Sequence, residues 1–349
     1  MFRLSALPAS FGDCLWIEYG DGDHPNVILV DAGPSLPKAL IAKLKALASR
    51  GGHLELVVVT HVDKDHIGGM LTLLEKDFYG VKVRDFWFNG FRHLSELEAF
   101  GEKQGERLTA LLLTKGVAWN AVVENAGLLV TPETCPTFVL PGGAKITLLS
   151  PDRPQLERLK TSWIKVCGEA DLYADVAAVT EYFGMEGMDA FGAAGALDVP
   201  TLAAQKFEED YAEANGSSIA FIVEYDGRRL LLGADAYPSR LTKSLSQVWG
   251  DPPYRFDLVK VPHHGSESNL SKEFVEAIDC ERYLFSSNGA YFKHPSQPAV
   301  ARVVHYGKEP ELIFNYRTSF SEIWDNAALK SLYKYTTVYG DEDGASVDI

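Results

Sequence analysis

The sequence predicts an α/β fold, and three observations support this prediction. Short apolar runs with strand character alternate with amphipathic helical patterns near both ends of the chain. The 349 residues are 46% hydrophobic, which is enough to bury one large core or two ordinary ones. The longest apolar runs are far shorter than the ~20 residues that span a bilayer, so we expect a protein without membrane helices.

The first third of the chain reads as strand, helix, strand. Residues 26–33, "NVILVDAG", predict a strand that ends at a glycine turn. Residues 36–50 have the spacing of an amphipathic helix, and 54–60, "LELVVVT", predict a fully buried strand. This order indicates a sheet covered by helices.

The same alternation returns after residue 215. Residues 217–235 predict two strands around a Tyr-Asp-Gly-Arg turn, and 256–262 predict another strand. A helix is expected from 271 with Ser271 as its cap. A further strand, "RYLFSSNG", and a further helix, "PAVARVVHYG", follow it.

Two stretches between these parts differ in composition. Residues 93–130 and 152–214 are rich in Ala, Glu, Leu and Gly and show long helical patterns. We interpret them as helical insertions, or a cap over a site, within a single domain that spans 1–349. The acidic end, "YGDEDGASVDI", reads as a solvated tail.

Composition limits the partners and the compartment. The net charge of −15 opposes sequence-independent binding to a polyanion such as duplex DNA. The four cysteines are scattered without a C-x-x-C pair, which favours reduced thiols over disulfides or a thiolate zinc site. Since the first twenty residues lack a continuous apolar stretch, we expect a cytoplasmic protein that does not bind membranes. Protein partners are not indicated.

Ionisable residues gather where the predicted strands end. Residues 56–70, "LVVVTHVDKDHIGGM", pass from a buried strand directly into His61, Asp63, Asp65 and His66. So many ionisable groups are costly in a core without partners, and divalent cations would offset that cost. Imidazole nitrogen and carboxylate oxygen suit zinc, and a carboxylate-rich site also suits manganese.

The motif resembles that of the metallo-β-lactamase superfamily, H-x-H-x-D-H, with Asp63 at the second histidine position. Several blocks in order resemble the metallo-β-lactamase-like domain of ComEC-type competence proteins, and phosphorylcholine esterases have a similar ligand pattern. The resemblance covers roughly 1–90, 138–151 and 215–305. The blocks are "SFGDCLWIEY", "VILVDAG", "THVDKDHIGG", "NGSSIAFIVEYDGRRLLLGAD", "DLVKVPHHGSES" and "YFKHPSQPAV".

The resemblance implies an αββα sandwich with two metal ions, zinc or manganese, at its edge. Three aspartates against two divalent ions leave a charge of about +1, which a bridging hydroxide would neutralise. Hydrolysis of a phosphodiester, in nucleic acid or a smaller ester, is the expected reaction. One ion would be held by His61, Asp63 and a histidine of "PHHG", the other by Asp65, His66 and His294, with Asp235 bridging both.

The resemblance also assigns roles around the ions. We predict that Asp65 and Asp235 act in catalysis as well as in metal binding. In an extended backbone, successive side chains point to opposite sides, so His263 and His264 cannot easily reach one metal. The resemblance to phosphodiesterases with this block makes His264 the ligand and places His263 beside the scissile phosphate. Asn215 and the backbone N–H of Ser266 are candidates for binding the phosphate.

Two other positions remain open between a functional and a structural role. Asp13 lies either near the site or in a hairpin turn, and Asp31 is predicted to hold a metal-ligand imidazole.

A lactone, thioester or β-lactam hydrolase of the same fold, or a metal-retaining interaction module without activity, is the alternative function. A local basic groove would favour a nuclease over a small phosphodiesterase, with Lys115, Arg153, Arg158 and Lys160 as its candidate residues.

Overall fold

The computed structural model describes residues 1–90, 93, 103–169 and 197–349. In these ranges, two mixed sheets pack face to face and helices cover both outer faces. This is the αββα layering that the resemblance implies, and the α/β fold class is confirmed.

The first sheet contains the N-terminal strands and the last strand of the chain. Its order is β17-β1-β2-β3-β4-β5, and β6 also pairs with β4. The pairs β1–β2, β2–β3 and β1–β17 are antiparallel, whereas β3–β4 is parallel. The strands are β1 Phe2–Ala6, β2 Leu15–Gly20, β3 Pro25–Val30, β4 His53–Val58, β5 Lys82–Val83, β6 Phe86–Trp87 and β17 Ala345–Asp348.

The second sheet has the order β16-β15-β14-β12-β10-β9-β8-β7. The run from β10 to β16 is parallel, so these strands end at the same edge. A small parallel pair, β11 Tyr254–Arg255 and β13 Ile278–Asp279, stands apart. The sheet strands are β7 Thr137–Val139, β8 Lys145–Ser150, β9 Ala220–Tyr225, β10 Arg228–Leu232, β12 Leu258–Lys260, β14 Arg282–Phe285, β15 Glu311–Phe314 and β16 Thr336–Tyr339.

The helices divide between the two outer faces. Helices α1 to α3 pack on the first sheet, and α7 to α9 pack on the second. The helices are α1 Lys38–Ser49, α2 Lys64–Glu75, α3 Lys103–Lys115, α4 Arg153–Glu169, α5 Val199–Ala203, α6 Glu213–Gly216, α7 Pro238–Trp249, α8 Lys272–Ala277, α9 Gln297–Tyr306, α10 Ser319–Glu322 and α11 Ala327–Tyr333. None of those in the described ranges combines the length and apolar character needed to span a bilayer.

The alternation of side chains along β4 explains why this strand is apolar on both faces. Leu56 and Val58 enter the core between the two sheets, where they meet residues such as Phe221. Val57 and Val59 point the other way, into the core beneath α1 and α2. A strand buried on both sides reads as a continuous apolar run, which is the pattern of "LVVV".

Most predicted elements are present close to their expected bounds. The helix expected over 36–50 is α1, and the hairpin expected over 217–235 is β9 and β10. Ser271 caps α8, since its hydroxyl accepts a hydrogen bond from the N–H of Phe274 at 3.1 Å.

The prediction for the acidic tail is wrong. Residues 345–348 form strand β17, which pairs with β1. The alternation of buried Ala345 and Val347 with exposed neighbours is a strand signal that the charge of the tail obscured.

The proposed helical insertions lie partly outside the described residues, at 94–102 and 170–196. Within the described part of 93–130 the structure has α3, and within that of 152–214 it has α4 and α5. The assignment of both stretches as insertions into one domain stays a prediction.

Candidate metal centre

Four strand ends deliver ionisable side chains to one edge of the sandwich. His61 follows β4, Asp235 follows β10, and His264 follows β12. His294 comes from the loop after β14. The parallel arrangement of β10, β12 and β14 brings three of these ends together, which is why residues distant in sequence meet here.

The first turn of α2 supplies two further donors, Asp65 and His66. A carboxylate is favoured there by the partial positive charge of the helix N-terminus. Asp63 occupies the N-cap position but makes no side-chain capping bond, and its Oδ2 lies 3.5 Å from Nε2 of His61. Gly69 lets α2 approach the loop that follows β3, since a Cβ on Gly69 would lie 2.1 Å from the carbonyl oxygen of Ala32.

Asp31 and Thr60 fix the tautomers of His61 and His66. Nδ1 of His66 donates to Oδ2 of Asp31 at 2.7 Å. The Thr60 hydroxyl donates its single proton to the same carboxylate at 2.8 Å, so it accepts from Nδ1 of His61 at 3.0 Å. Both imidazoles thus keep Nε2 free to act as a ligand, as metal-binding histidines do.

An equivalent arrangement holds His264. The Ser286 hydroxyl donates to Oδ1 of Asp13 at 2.5 Å, so it accepts from Nδ1 of His264 at 3.2 Å. The other oxygen of Asp13 accepts from Nζ of the buried Lys260 at 2.7 Å. Burial alone would raise the pKa of Asp13, but Lys260 and His264 together outweigh it and keep this pKa far below its usual range. Asp13 therefore belongs to the site and not to an exposed turn.

His263 is held by a side-chain amide. Its Nδ1 donates to Oδ1 of Asn269 at 2.8 Å, and the amide nitrogen of Asn269 donates to the backbone carbonyl of Asp235 at 3.1 Å. Oδ2 of Asp210 lies 3.4 Å from the same Nδ1. His263 is less buried than its neighbour, with 18% of its side chain exposed against none for His264. It stands at the wall of the site with Nε2 directed inward.

Several buried polar atoms of the site have no hydrogen-bond partner. Such atoms are rare in folded proteins and each one calls for an explanation. Three of them are the Nε2 atoms of histidines whose Nδ1 is hydrogen-bonded. The others are Oδ1 of the central carboxylate and Nδ1 of a fourth histidine. They belong to His61, His66, His264, Asp235 and His294.

Asp235 is the centre of this arrangement. Its Oδ2 lies 3.4 Å from Nε2 of His66, 3.6 Å from that of His263 and 3.8 Å from that of His61. Nε2 of His264 is 4.0 Å away. Four imidazoles around one buried carboxylate oxygen, at distances beyond a hydrogen bond, leave space for a cation between them.

The donor atoms fit divalent metal ions. Ligand atoms about 2.0–2.2 Å from one tetrahedral ion stand roughly 3.3–3.6 Å apart, close to the separations around Asp235. A set of imidazole nitrogens and carboxylate oxygens suits zinc or manganese. Three groups have donor atoms within 4.8 Å of one another: His61, His66 and Asp235; Asp65, His66 and His264; Asp13, Asp235 and His264. Asp13 is the weakest candidate because Lys260 already neutralises it.

The ionisable groups of the site shift one another's pKa values. Burial alone would raise the pKa of Asp235, but His263 and His66 outweigh it and lower this pKa well below its usual range. Burial likewise lowers the pKa of His263, whereas Asp235 and Asp210 raise it to about 9. Burial and then repulsion from His263 keep the pKa of His294 well below its ordinary value. Without a metal, protons supply the positive charge that these carboxylates require.

The backbone is strained at four residues of the site. Asp31, Ala234, His263 and His264 have φ values of 56°, 45°, 46° and 53°. Residues other than glycine seldom adopt this left-handed conformation, and they keep it only where the surrounding structure enforces it. The four lie within or beside the metal centre, which is where such strain is expected to have a function.

The left-handed conformation of His263 and His264 contradicts the prediction that they lie in extended backbone. They do not lie in extended backbone but in a short 3₁₀ turn, Pro262–Gly265, where both are left-handed. Both Nε2 atoms consequently approach the same oxygen of Asp235. Strand alternation therefore does not separate their roles, and burial and hydrogen bonding do so instead.

The grouping of the histidines differs from the one implied by the resemblance. His264, not His294, lies beside the first turn of α2, with its Nε2 3.5 Å from Oδ2 of Asp65. The reason is the anchoring of its Nδ1 by Ser286, which aims Nε2 toward that turn. His294 lies behind His263, with a distance of 5.3 Å between their ring centroids. Its role as a ligand stays a prediction.

The two proposed phosphate-binding groups are largely occupied. The backbone N–H of Ser266 donates to the carbonyl of His263 at 2.8 Å. It is therefore not available to a phosphate, contrary to the prediction. The side-chain amide of Asn215 donates to Asp210 at 2.6 Å, and its buried oxygen has no partner. Substrate binding by Asn215 stays a prediction.

Sequence reasoning missed Asp210 and Lys260. Asp210 lies in a stretch interpreted as a helical insertion, and nothing in its local sequence indicates contact with His263. Lys260 did leave a signal, because a lone lysine within a strand as apolar as "DLVKVP" requires a buried partner of opposite charge. Of the four candidate basic-groove residues, Lys115 is paired with Asp77.

We expect the purified protein to carry close to two zinc or manganese ions per chain, because two overlapping donor groups remain once the group that contains Asp13 is set aside. Elemental analysis of the protein and of His66→Ala tests this, with the exposed His305→Ala as control. His66→Ala should lose metal and His305→Ala should retain it. Wild-type protein that contains no metal and takes up none on titration would contradict the assignment.

A family model matches the part of the chain that contains the motif from His61 to His66. Residues 7–138 match the family model described as the metallo-beta-lactamase superfamily. Eighteen solved chains match, among them the metallo-beta-lactamase fold protein YhfI from Bacillus subtilis, at 11% identity and a TM-score of 0.41 over all of both chains. No curated protein matches the sequence. The matched part of the chain includes the motif from His61 to His66, so residues 7–138 are similar to the metallo-beta-lactamase superfamily.

Proposed function

We propose that the protein is a dinuclear metal-dependent hydrolase that cleaves phosphodiester bonds. The observation that carries the proposal is the position of Asp235, whose Oδ2 lies within 4.0 Å of four imidazole nitrogens. A single carboxylate placed between two groups of donors is suited to bridge two ions. Two ions held close together suit the in-line displacement of a phosphate ester.

The two groups of donors divide between the ions. His61 and Asp63 would hold one ion, and Asp65, His66 and His264 would hold the other, with Asp235 shared. When bound, such ions activate water at neutral pH and stabilise charge on the attacking and leaving oxygens. The Nδ1 contacts to Asp31, Thr60 and Ser286 orient the imidazoles before any ion binds.

The carboxylate-rich donor set supports phosphodiester chemistry over the alternatives. Asp63 stands where the superfamily motif has a histidine, and its Oδ2 faces His61. With Asp65 and Asp235 it provides three anionic ligands, which reduce the net positive charge of two bound ions to about one. This resembles the phosphodiesterase branch with the "HHGS" block, including the ComEC-type domains.

His263 is the residue best placed to transfer a proton. Its Nδ1 is fixed by Asn269, and Asp235 and then Asp210 raise its pKa. Its Nε2 lies 3.6 Å from Oδ2 of Asp235 and therefore faces the reacting groups. A protonated imidazole in this position would donate to the leaving oxygen, a contribution of typically about 10²–10⁴-fold.

Hydrolysis assays with the metal-loaded and the metal-stripped protein test the function. The loaded protein should hydrolyse bis(p-nitrophenyl) phosphate in preference to a β-lactam, a lactone or a thioester, and the stripped protein should be inert until metal is restored. His305→Ala serves as a control and should behave as wild type. A clear preference for the β-lactam, lactone or thioester would refute phosphodiester hydrolysis. Inactivity toward all four, with two ions bound, would favour an interaction module.

A further inference from the structure

Two exposed aromatic side chains, Tyr291 and Phe292, lie together beside His294. In the described part of the chain, the exposed aromatic residues are Tyr211 at 79%, Tyr291 at 50% and Phe292 at 40%. Tyr211 follows Asp210, and the other two shortly precede His294. Exposed apolar surface of this kind is costly in water, and its clustering in one place indicates a binding surface.

Phe11 joins Tyr291 and Phe292 to form what we call the aromatic platform (Phe11, Tyr291 and Phe292). The rings of Phe11 and Tyr291 are stacked with centroids 5.3 Å apart. Phe292 meets Phe11 edge to face at 5.8 Å and Tyr291 at 4.6 Å. Three mutually packed rings from two loops therefore form one partly exposed surface.

The two loops are fixed to each other and to the metal centre. The backbone N–H of Asn288 donates to the carbonyl of Ser10 at 3.0 Å, and its side-chain amide donates to the Ser10 hydroxyl at 3.1 Å. A Cβ on Gly12 would lie 1.8 Å from the carbonyl oxygen of Asp65, so the first loop rests directly on the turn that carries a predicted metal ligand. The platform is consequently held in place before a ligand arrives.

A series of rings connects the platform to the metal centre. Phe292 is stacked on His294, with centroids 6.0 Å apart and an interplanar angle of 18°. His294 contacts His263 at 5.3 Å, and His263 in turn faces Asp235. A substrate whose phosphate lies at the metal centre would therefore have its neighbouring group beside the platform.

We propose that the aromatic platform binds a nucleobase, and that the substrate is a nucleotide-sized phosphodiester. This inference rests on the proposed function. A nucleobase is a planar group that stacks on aromatic side chains whatever its identity. Stacking requires no positive charge, so a protein with a net charge of −15 can use it where electrostatic attraction to a polyanion fails. The acidity that disfavours a long polymer is compatible with a single nucleotide unit.

Fluorescence of 2-aminopurine riboside 5′-monophosphate tests the proposal, because stacking quenches this base. The metal-loaded wild type should quench the probe on binding. Replacement of Tyr291 and Phe292 by alanine should weaken binding by roughly 5- to 150-fold, as expected for the loss of base stacking. Ribose 5-phosphate, which has no base, should compete poorly with the probe for the wild type.

Matched variants separate the platform from the metal centre. Leu332→Ala, which truncates another exposed apolar side chain at 69% exposure, should bind the probe as wild type does. The double variant and Tyr291→Ala should both keep two metal ions. Tyr291→Ala replaces the double variant in the binding test if the double variant is unstable. Binding without quenching, or equal affinity for ribose 5-phosphate, would overturn the proposal. Wild type that binds and quenches the probe but hydrolyses no phosphodiester would instead refute the proposed function.

Discussion

Asp235→Asn is expected to lower kcat for a phosphodiester by at least about 10²-fold and to reduce bound metal below two ions per chain. The amide keeps the size of the side chain but removes the negative charge that two cations would share. Displacement of a reacting group by even 1 Å can cost about this factor. The variant should remain folded, because the core between the sheets does not include this side chain.

The measurement combines steady-state kinetics with elemental analysis of the same preparation. Asp257→Asn is the matched control, since Asp257 is a largely buried carboxylate at the start of β12 that pairs with Arg228 on the neighbouring strand. It should retain two ions and wild-type kcat. Full activity of Asp235→Asn with two ions bound would exclude a bridging role for Asp235.

His264→Ala and His263→Ala are expected to fail in different ways. His264 is fully buried with its Nδ1 fixed and its Nε2 unpartnered, so its loss should remove metal and activity together. His263→Ala should retain both ions and lower kcat by about 10²–10⁴-fold, the range for loss of a general acid. The defect should be largest for esters with poor leaving groups, which depend most on protonation.

Metal content, kcat and the dependence on leaving-group pKa distinguish these outcomes, with His305→Ala as the control for the loss of an exposed histidine. Metal loss from His263→Ala with retention in His264→Ala would reverse the two roles. Metal loss from both variants would make His263 a ligand and remove its assignment as the acid. Since both Nε2 atoms lie near the same oxygen of Asp235, this comparison is the direct test of the roles that burial and hydrogen bonding indicate.

The sequence predicted which strand ends meet and that Asp31 holds an imidazole, but not the other hydrogen bonds that fix the site. His61, Asp65 and His66 follow one apolar strand, so their convergence is a local property of the motif. The hydrogen bonds of Thr60 and Asp31 to these histidines depend on β3 lying beside β4, and only the sheet order establishes that. Ligand positions are thus readable from spacing, whereas their orientation is a tertiary property.

Two of the errors around the site have the same origin. His263 and His264 were treated as extended residues, because nothing in "VPHHGS" other than the following glycine announces a left-handed turn. Asp210 was missed because it reaches His263 from a segment with no regular pattern of its own. Local periodicity predicts regular elements well, but it carries little information on irregular backbone whose conformation is imposed by packing.

The pairing of the first strand with the last has a consequence for biosynthesis. Arg3 on β1 binds Asp348 on β17, and these two residues are 345 positions apart in the chain. At typical elongation rates, a nascent β1 waits on the order of twenty to seventy seconds before its partner has been synthesised. During this time one edge of the sheet stays open to pairing with other chains. The loop that follows β1 carries Asp13, so the edge of the sandwich that holds the candidate metal centre reaches its final form only late in synthesis.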